Sequence, residues 1–335
     1  MRRAPYGPVV AALVLVLLAA LVAAIAIGAV AIPPDRVIAT LLGAGDPAET
    51  AIVVSLRLPR VLGAALVGAA LAVAGVLLQG LLRNPLADPY VLGTSAGASV
   101  GAVLGLTLAG ALGFFVVPAL AFAGAILSIV VVWRLARVGA ETPIVTLLLA
   151  GVVFSAFAGA IVTFVLVSHD RLQLRLASVL AWLMGGVSVV TWTQLAVSAA
   201  LVVIALALAM AVVWRLDAFA LGEETAATLG IDVEASKRGV VAIAALLTAA
   251  AVSIAGLVAF VGLIAPHATR LIVGPAHLRL VPAAALAGAA FVVLADLAAR
   301  VVVAPSELPM GVISGLIGGP FFFALLWRDR AAYRL

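Results

Sequence analysis

The sequence contains no cysteine, which excludes disulfides, thiolate metal sites and cysteine nucleophiles and leaves the redox compartment undecided. Charge is almost as scarce. Nineteen basic and 14 acidic residues make up 10% of 335 positions, against 66% apolar residues and a mean hydropathy of +1.36. Soluble globular domains do not have such a composition. Lysine occurs once, as Lys237, and Ser236 precedes it. A phosphate-binding loop of the G-x-x-x-x-G-K-[ST] type is therefore missing, so the chain is not itself a Walker-type ATPase. The short alternating segments of a membrane barrel are missing too. The pI of 10.6 does not indicate nucleic acid, because the basic residues sit between apolar segments rather than in a patch with aromatics. Their placement reads as membrane topology.

What the chain does have is a series of apolar runs of about 20 residues, the length a helix needs to cross a hydrocarbon core of about 30 Å. They fall at Val9–Ile32, Val61–Leu82, Val91–Leu112, Phe114–Trp133, Pro143–Val167, Leu195–Val213, Gly239–Ala255, Leu257–Val273, Val281–Ala299 and Pro309–Trp327. The fold expected is all-α: a polytopic membrane protein of about ten transmembrane helices, forming a single domain over 1–335. The first run carries a signal-like Ala29-Val30-Ala31 but is longer than the roughly 7–15 residues of a signal core, and reads as a retained helix. A loop at 168–190 contains the apolar stretch Leu176–Val190 with Trp182, Gly185 and Gly186, which reads as an interfacial or re-entrant helix on the extracytoplasmic side.

Gly239–Val273 could be one long helix or two short ones broken near Gly256. Arginine and lysine placement decides between them, since cytoplasmic loops are enriched in both. With the break, Arg36, Arg57, Arg60, Arg171, Arg175 and Arg300 lie outside, leaving 13 of the 19 basic residues inside. Without it the split is nine inside and ten outside. Ten helices with both termini cytoplasmic is the better topology. Short, Gly/Pro-interrupted helices also tend to line pathways rather than face lipid.

This topology puts Arg215–Arg238, the one long polar interval with eight charged residues, in the cytoplasm. Glu223 and Glu224 suit the first turn of a short helix, and Gly230 suits its stop. A helix in the one extended loop reads as a docking element for another protein.

Other signals have competing readings. Arg57, Arg60 and Arg300 on the outer face suit either lipid phosphates or an acidic partner. Asn84-Pro85-Leu86-Ala87-Asp88-Pro89 is an inner turn that could form a constriction. Gly93-Thr-Ser-Ala-Gly97 matches G-x-S-x-G, and His267 falls at a similar depth, so an intramembrane serine hydrolase using Ser95 and His267 is one alternative; close helix packing explains the small residues more simply. A proton-coupled carrier is the other alternative. Its candidate carboxylate, Asp296, lies near the outer end of a span, where pairing with Arg300 one turn later is the simpler role. His169 and His277 lie in loops without metal-ligand spacing to each other or to His267, so no metal site is expected.

RLPR at 57–60, NPLADP at 84–89 with LGTSAGA at 92–98, LGEETAATLG at 221–230, FVGLIAPHATRL at 260–271, ADLAAR at 295–300 and ELPMGVISGLIGGPFF at 307–322 occur in this order. Together they resemble the FecCD permeases, the membrane subunits of type II ABC importers for iron-siderophores, haem and cobalamin, from about residue 50 onward. The resemblance implies a non-enzymatic transport subunit in a bacterial cytoplasmic (inner) membrane. It implies a homodimer with two cytoplasmic ABC ATPase subunits, which bind the ATP and Mg, and an extracytoplasmic substrate-binding protein. No cofactor is implied in this chain. The resemblance maps ATPase coupling onto Leu221, Gly222, Glu223, Ala226, Leu229 and Gly230, binding-protein docking onto Arg57, Arg60 and Arg300, and the inner gate onto Asn84, Leu86 and Thr142. Pro143 stands where the family pattern favours small polar residues. No residue distinguishes siderophore from haem or corrinoid.

Overall fold

The computed structural model describes residues 5–28, 30–112, 115–174, 176–187 and 191–328. Ala29 of the signal-like site, the tallied Arg2, Arg3, Arg175, Arg330 and Arg334, and the side chains of Arg171 and Arg328 lie outside the described residues. The chain forms α1 (Tyr6–Ala26) and α2 (Pro34–Leu41). Next, α3 (Pro47–Thr50), a π-helical stretch (Ala51–Arg57) and α4 (Leu58–Leu81) run on as one 35-residue rod. A 3-10 turn (Pro89–Leu92) leads to α5 (Thr94–Leu112), α6 (Val116–Ala136), α7 (Ile144–Ser168), α8 (Asp170–Gln173), α9 (Leu176–Leu183) and α10 (Trp192–Phe219). The remainder is α11 (Glu223–Thr228), α12 (Val233–Ala255), α13 (Val261–Val273), α14 (His277–Val301) and α15 (Met310–Arg328).

Seven of these, α1, the Pro47–Leu81 rod, α6, α7, α10, α12 and α14, are long and apolar enough to cross a membrane, and α5, α13 and α15 carry shorter apolar stretches. Among the described residues the only β-type pairing is an isolated bridge between Val138 and Glu141. The protein is an all-helical integral membrane protein.

The α4 rod is the axis of the fold. Its span is 78% buried, and it packs against α10, α12, α13 and α14. Next come α14 and α12, while α7 is only 17% buried and presents Val145, Leu149, Val152, Val153, Phe157 and Phe164 outward. In a bilayer such outward side chains are available to lipid or to a partner subunit, because lipid tails solvate leucine as well as a core does.

Small residues set the closest contacts. A Cβ at Gly97 on α5 would run into the Gly124 carbonyl of α6, and one at Gly124 into the Gly97 carbonyl. The G-x-S-x-G stretch is thus a backbone-to-backbone packing surface.

Two boundaries differ from those expected, and the break in the 239–273 segment falls where it was expected. The second span starts at Pro47 rather than Val61. Pro59 does not interrupt it, because it stands where the π-helical stretch Ala51–Arg57 passes into α4, before the i→i−4 ladder of α4 has begun. The chain does break at Gly256, whose φ of 63° and ψ of −151° are open essentially to glycine alone. The polar groups freed there are satisfied by protein, as membrane depth demands: the Tyr90 hydroxyl accepts from the Val258 N–H and donates to the Val258 carbonyl, both at 3.1 Å. The Gly186 N–H donates to the Ala255 carbonyl at 2.7 Å. That last bond explains the second difference. The apolar stretch expected as a helix to Val190 ends at Leu183, because the chain turns at Gly185 to dock on the break.

Candidate functional site

The polar interval forms a rigid projection. Glu223 and Glu224 occupy the first turn of α11, and Ala226 is fully buried against the body of the protein. The helix closes with the Gly230 N–H donating to the Ala227 carbonyl at 2.9 Å and the Ile231 N–H to the Ala226 carbonyl at 3.1 Å. This is the paired bond of a Schellman stop, with Gly230 in the left-handed conformation it requires (φ 81°). Asp232 then caps α12, its carboxylate accepting from the Ala235 N–H at 2.9 Å. Two leucines flank the helix and point away from the protein: Leu221 is 66% exposed and Leu229 64%. A solvated loop would not be expected to hold two large apolar side chains so, and a rigid apolar pair with Glu224 between is suited to a partner's cleft.

The gate candidates are held by different parts of the molecule. Asn84 is exposed, and its Oδ1 accepts from the Leu86 N–H at 2.9 Å, shaping the turn. The same turn is tied to α4 and α13 through buried Gln79, whose amide donates to the Ala87 and Gly262 carbonyls at 3.4 and 3.1 Å and accepts from Arg270 at 2.8 Å. Asp88 accepts from the Tyr90 N–H at 2.9 Å; burial pushes its carboxyl up to about 6. Thr142 is buried just ahead of α7, and its carbonyl accepts from Lys237 at 3.3 Å.

The outer arginines do not form the exposed basic patch that docking on all three would use. Arg57 is buried and donates to the Ile25 carbonyl at 2.7 Å, to Ala26 at 3.1 Å and to Val30. Arg300 is equally buried and donates to the Ala24 carbonyl at 3.0 Å and Ile27 at 3.4 Å. Both guanidiniums therefore satisfy the orphan carbonyls at the C-terminal end of α1, where cations are favoured. Arg60 alone of the three reaches the surface, paired with buried Asp296 at 3.0 Å and with exposed Glu307 at 2.9 Å. Asp296 also meets Arg300 at 3.1 Å, as its spacing suggested. A carboxylate held between two guanidiniums is poorly placed to ferry protons. Ser95 opens α5 from a 3-10 turn rather than a strand, and the His267 ring packs edge-on against Phe321 at 5.9 Å, so the strand–turn–helix support of a serine nucleophile is not present.

Comparison with known proteins places these features in one family. The sequence profile of the FecCD transport family matches residues 15–328. The chain belongs to that family. Among FecCD relatives, the cobalamin import system permease protein of Halobacterium salinarum is 46% identical over 284 residues, covering 84% of this chain and 75% of the relative. The hemin transport system permease protein of Yersinia pestis is 39% identical over 280 residues, 82% of this chain and 83% of the relative. A solved structure described as a metal-chelate type ABC transporter in an inward-facing conformation superposes with a TM-score of 0.82 at 27% identity, over 96% of this chain and 99% of that one.

Two groupings in this FecCD chain were not read from the sequence. Lys237 joins Glu223 at 2.7 Å and Glu234 at 3.0 Å. The Glu234 contact is one helical turn away and could have been expected; the other needed the loop's path. His277 opens α14 rather than lying in a loop, with Nδ1 2.6 Å from the Asp217 carboxylate at the end of α10.

Proposed function

We propose that this chain is the membrane-spanning permease subunit of a binding-protein-dependent ABC importer for a metal chelate of the siderophore, haem or corrinoid class, working by alternating access. The observation that carries the reading is the apolar pair Leu221 and Leu229 on the rigid projection around α11, in a chain of the FecCD family that lacks a phosphate-binding loop of its own. Two such chains form a homodimer in the cytoplasmic membrane with both termini inside, and a cytoplasmic ATPase receives each α11. The extracytoplasmic binding protein meets the outer face. Arg60 with Glu307 is the contact within reach there, and Arg57 and Arg300 support it from below. Selectivity among chelates belongs to the binding protein, and the relatives' names, cobalamin and hemin, support the substrate class.

The ATPase shifts the permease only through contacts that differ between its states, so the docking surface is the place to test. Leu221→Asp with Leu229→Asp is expected to lower co-purification of the partner ATPase at least tenfold while membrane insertion of the permease is unchanged. Undiminished retention of the ATPase would sink the coupling role.

A further inference from the structure

The only lysine of the chain is almost completely buried and fully engaged. Its ammonium has three N–H donors and three acceptors around it: Glu223 Oε2 on α11 at 2.7 Å, Glu234 Oε1 on its own helix at 3.0 Å, and the Thr142 carbonyl just before α7 at 3.3 Å. The Glu234 carboxylate in turn faces the backbone N–H and hydroxyl of Thr142. The side chain is 7% exposed. α11 packs against α10 and against α12, the helix that carries Lys237, whereas α7 packs against α5, α6 and the 3-10 turn. The α7 helix is the least buried of the candidate spans; its start is held by the apolar contacts of Ile144, Leu147 and Leu148 with the core, to which the Lys237 bond adds a polar anchor at Thr142.

We propose that Lys237 is a positioning residue that ties α11 to the start of α7, so that displacement of the docking helix is carried to the gate segment at Thr142. This deepens the permease reading and rests on it for the source of the displacement. The geometry suits a tie better than a passive filler. A charge held by three acceptors from three segments resists separation of any one of them, whereas an apolar side chain of that length would let them slide. Arginine keeps the charge and the reach, though its planar fork offers a different set of directions.

The absence of cysteine makes the test direct, since single introduced thiols label uniquely. Ala227 on α11 and Val145 in the first turn of α7 are both exposed. In the first arm, the full chain carrying spin labels at Ala227→Cys and Val145→Cys is diluted with unlabelled chain in lipid nanodiscs, and the distance distribution within one chain is measured by pulsed EPR. Lys237→Met is expected to at least double the width of the distribution, Glu223→Gln to widen it by a smaller factor, and Lys237→Arg to restore most of the narrowness. An unchanged width in Lys237→Met would overturn the tie.

In the second arm, the assembled transporter with its ATPase is labelled at one of the two positions only, and the distance between protomers is read before and after trapping with ATP, Mg and vanadate. With Lys237→Met the Ala227 pair still shifts and the Val145 pair does not. Equal shifts at Val145 in the Lys237→Met variant and the unaltered chain would refute transmission through Lys237. If the unaltered chain retains no ATPase, or its Ala227 pair does not respond, the permease reading fails instead, and the first arm still decides the tie.

Discussion

Two clusters of buried charge bracket the helical core, and they are built in opposite senses. Near the end of α1, two guanidiniums, Arg60 and Arg300, share one buried carboxylate, Asp296, with Glu307 beside Arg60, while Arg57 and Arg300 hold backbone carbonyls of α1. Around the start of α12, one ammonium is shared by two carboxylates and the Thr142 carbonyl. The first cluster joins long helices, α1, α4 and α14, to one another. The second joins the core to a short exposed helix and to α7, the least buried of the candidate spans. Asp296 is 1% exposed and cannot rehydrate, whereas Glu223 and Glu234 are 34% and 25% exposed. Burial thus makes the first cluster a lock, and partial exposure leaves the second free to behave as a joint.

The comparison is broken most directly at Asp296. Asp296→Ala strands Arg60 and Arg300 without their shared counter-charge. It is expected to cost about 3–5 kcal/mol, the usual penalty for removing one partner of a buried pair, read as unfolding in detergent. Stability unchanged by this substitution would remove the distinction between lock and joint. Lys237→Met is expected to cost about 1–2 kcal/mol in the same assay, because its carboxylates keep access to water. A loss as large as that of Asp296→Ala would make both clusters locks. The smallest effect serves as the control. Arg36 pairs with Glu49 through two bonds of 2.9 and 2.8 Å on the exposed surface. Arg36→Ala is expected to have the smallest effect of the three, fading further in high salt.

What the sequence disclosed follows from how far each signal reaches. The break at Gly256 was legible because arginine placement counts whole loops, and the bounds of α11 were legible because Glu223 and Gly230 mark its ends locally. The pair of Asp296 and Arg300 needed only one turn of helix. The orientation of the outer arginines was not legible. Arg57 finds Ile25 some 32 positions away, and Arg60 finds Asp296 across 236, so side chains that read as free for a partner are taken up within the fold. The rod from Pro47 was missed because charges and Pro59 resemble a loop until the proline is seen to stand where the π-helical stretch passes into α4. The link from Lys237 to Thr142, across 95 positions, depends on two loops meeting, and no local pattern encodes that.

The clasp on α1 has a consequence for how the protein is made. Arg300 reaches the Ala24 carbonyl across 276 positions, so most of the chain must leave the ribosome before the last turn of the first helix acquires its second guanidinium. Until then the Ala24 and Ile27 carbonyls lack the guanidinium that holds them in the finished fold. The closing of α1 onto α14 therefore waits for nearly the whole chain, and chains truncated ahead of Arg300 lack it.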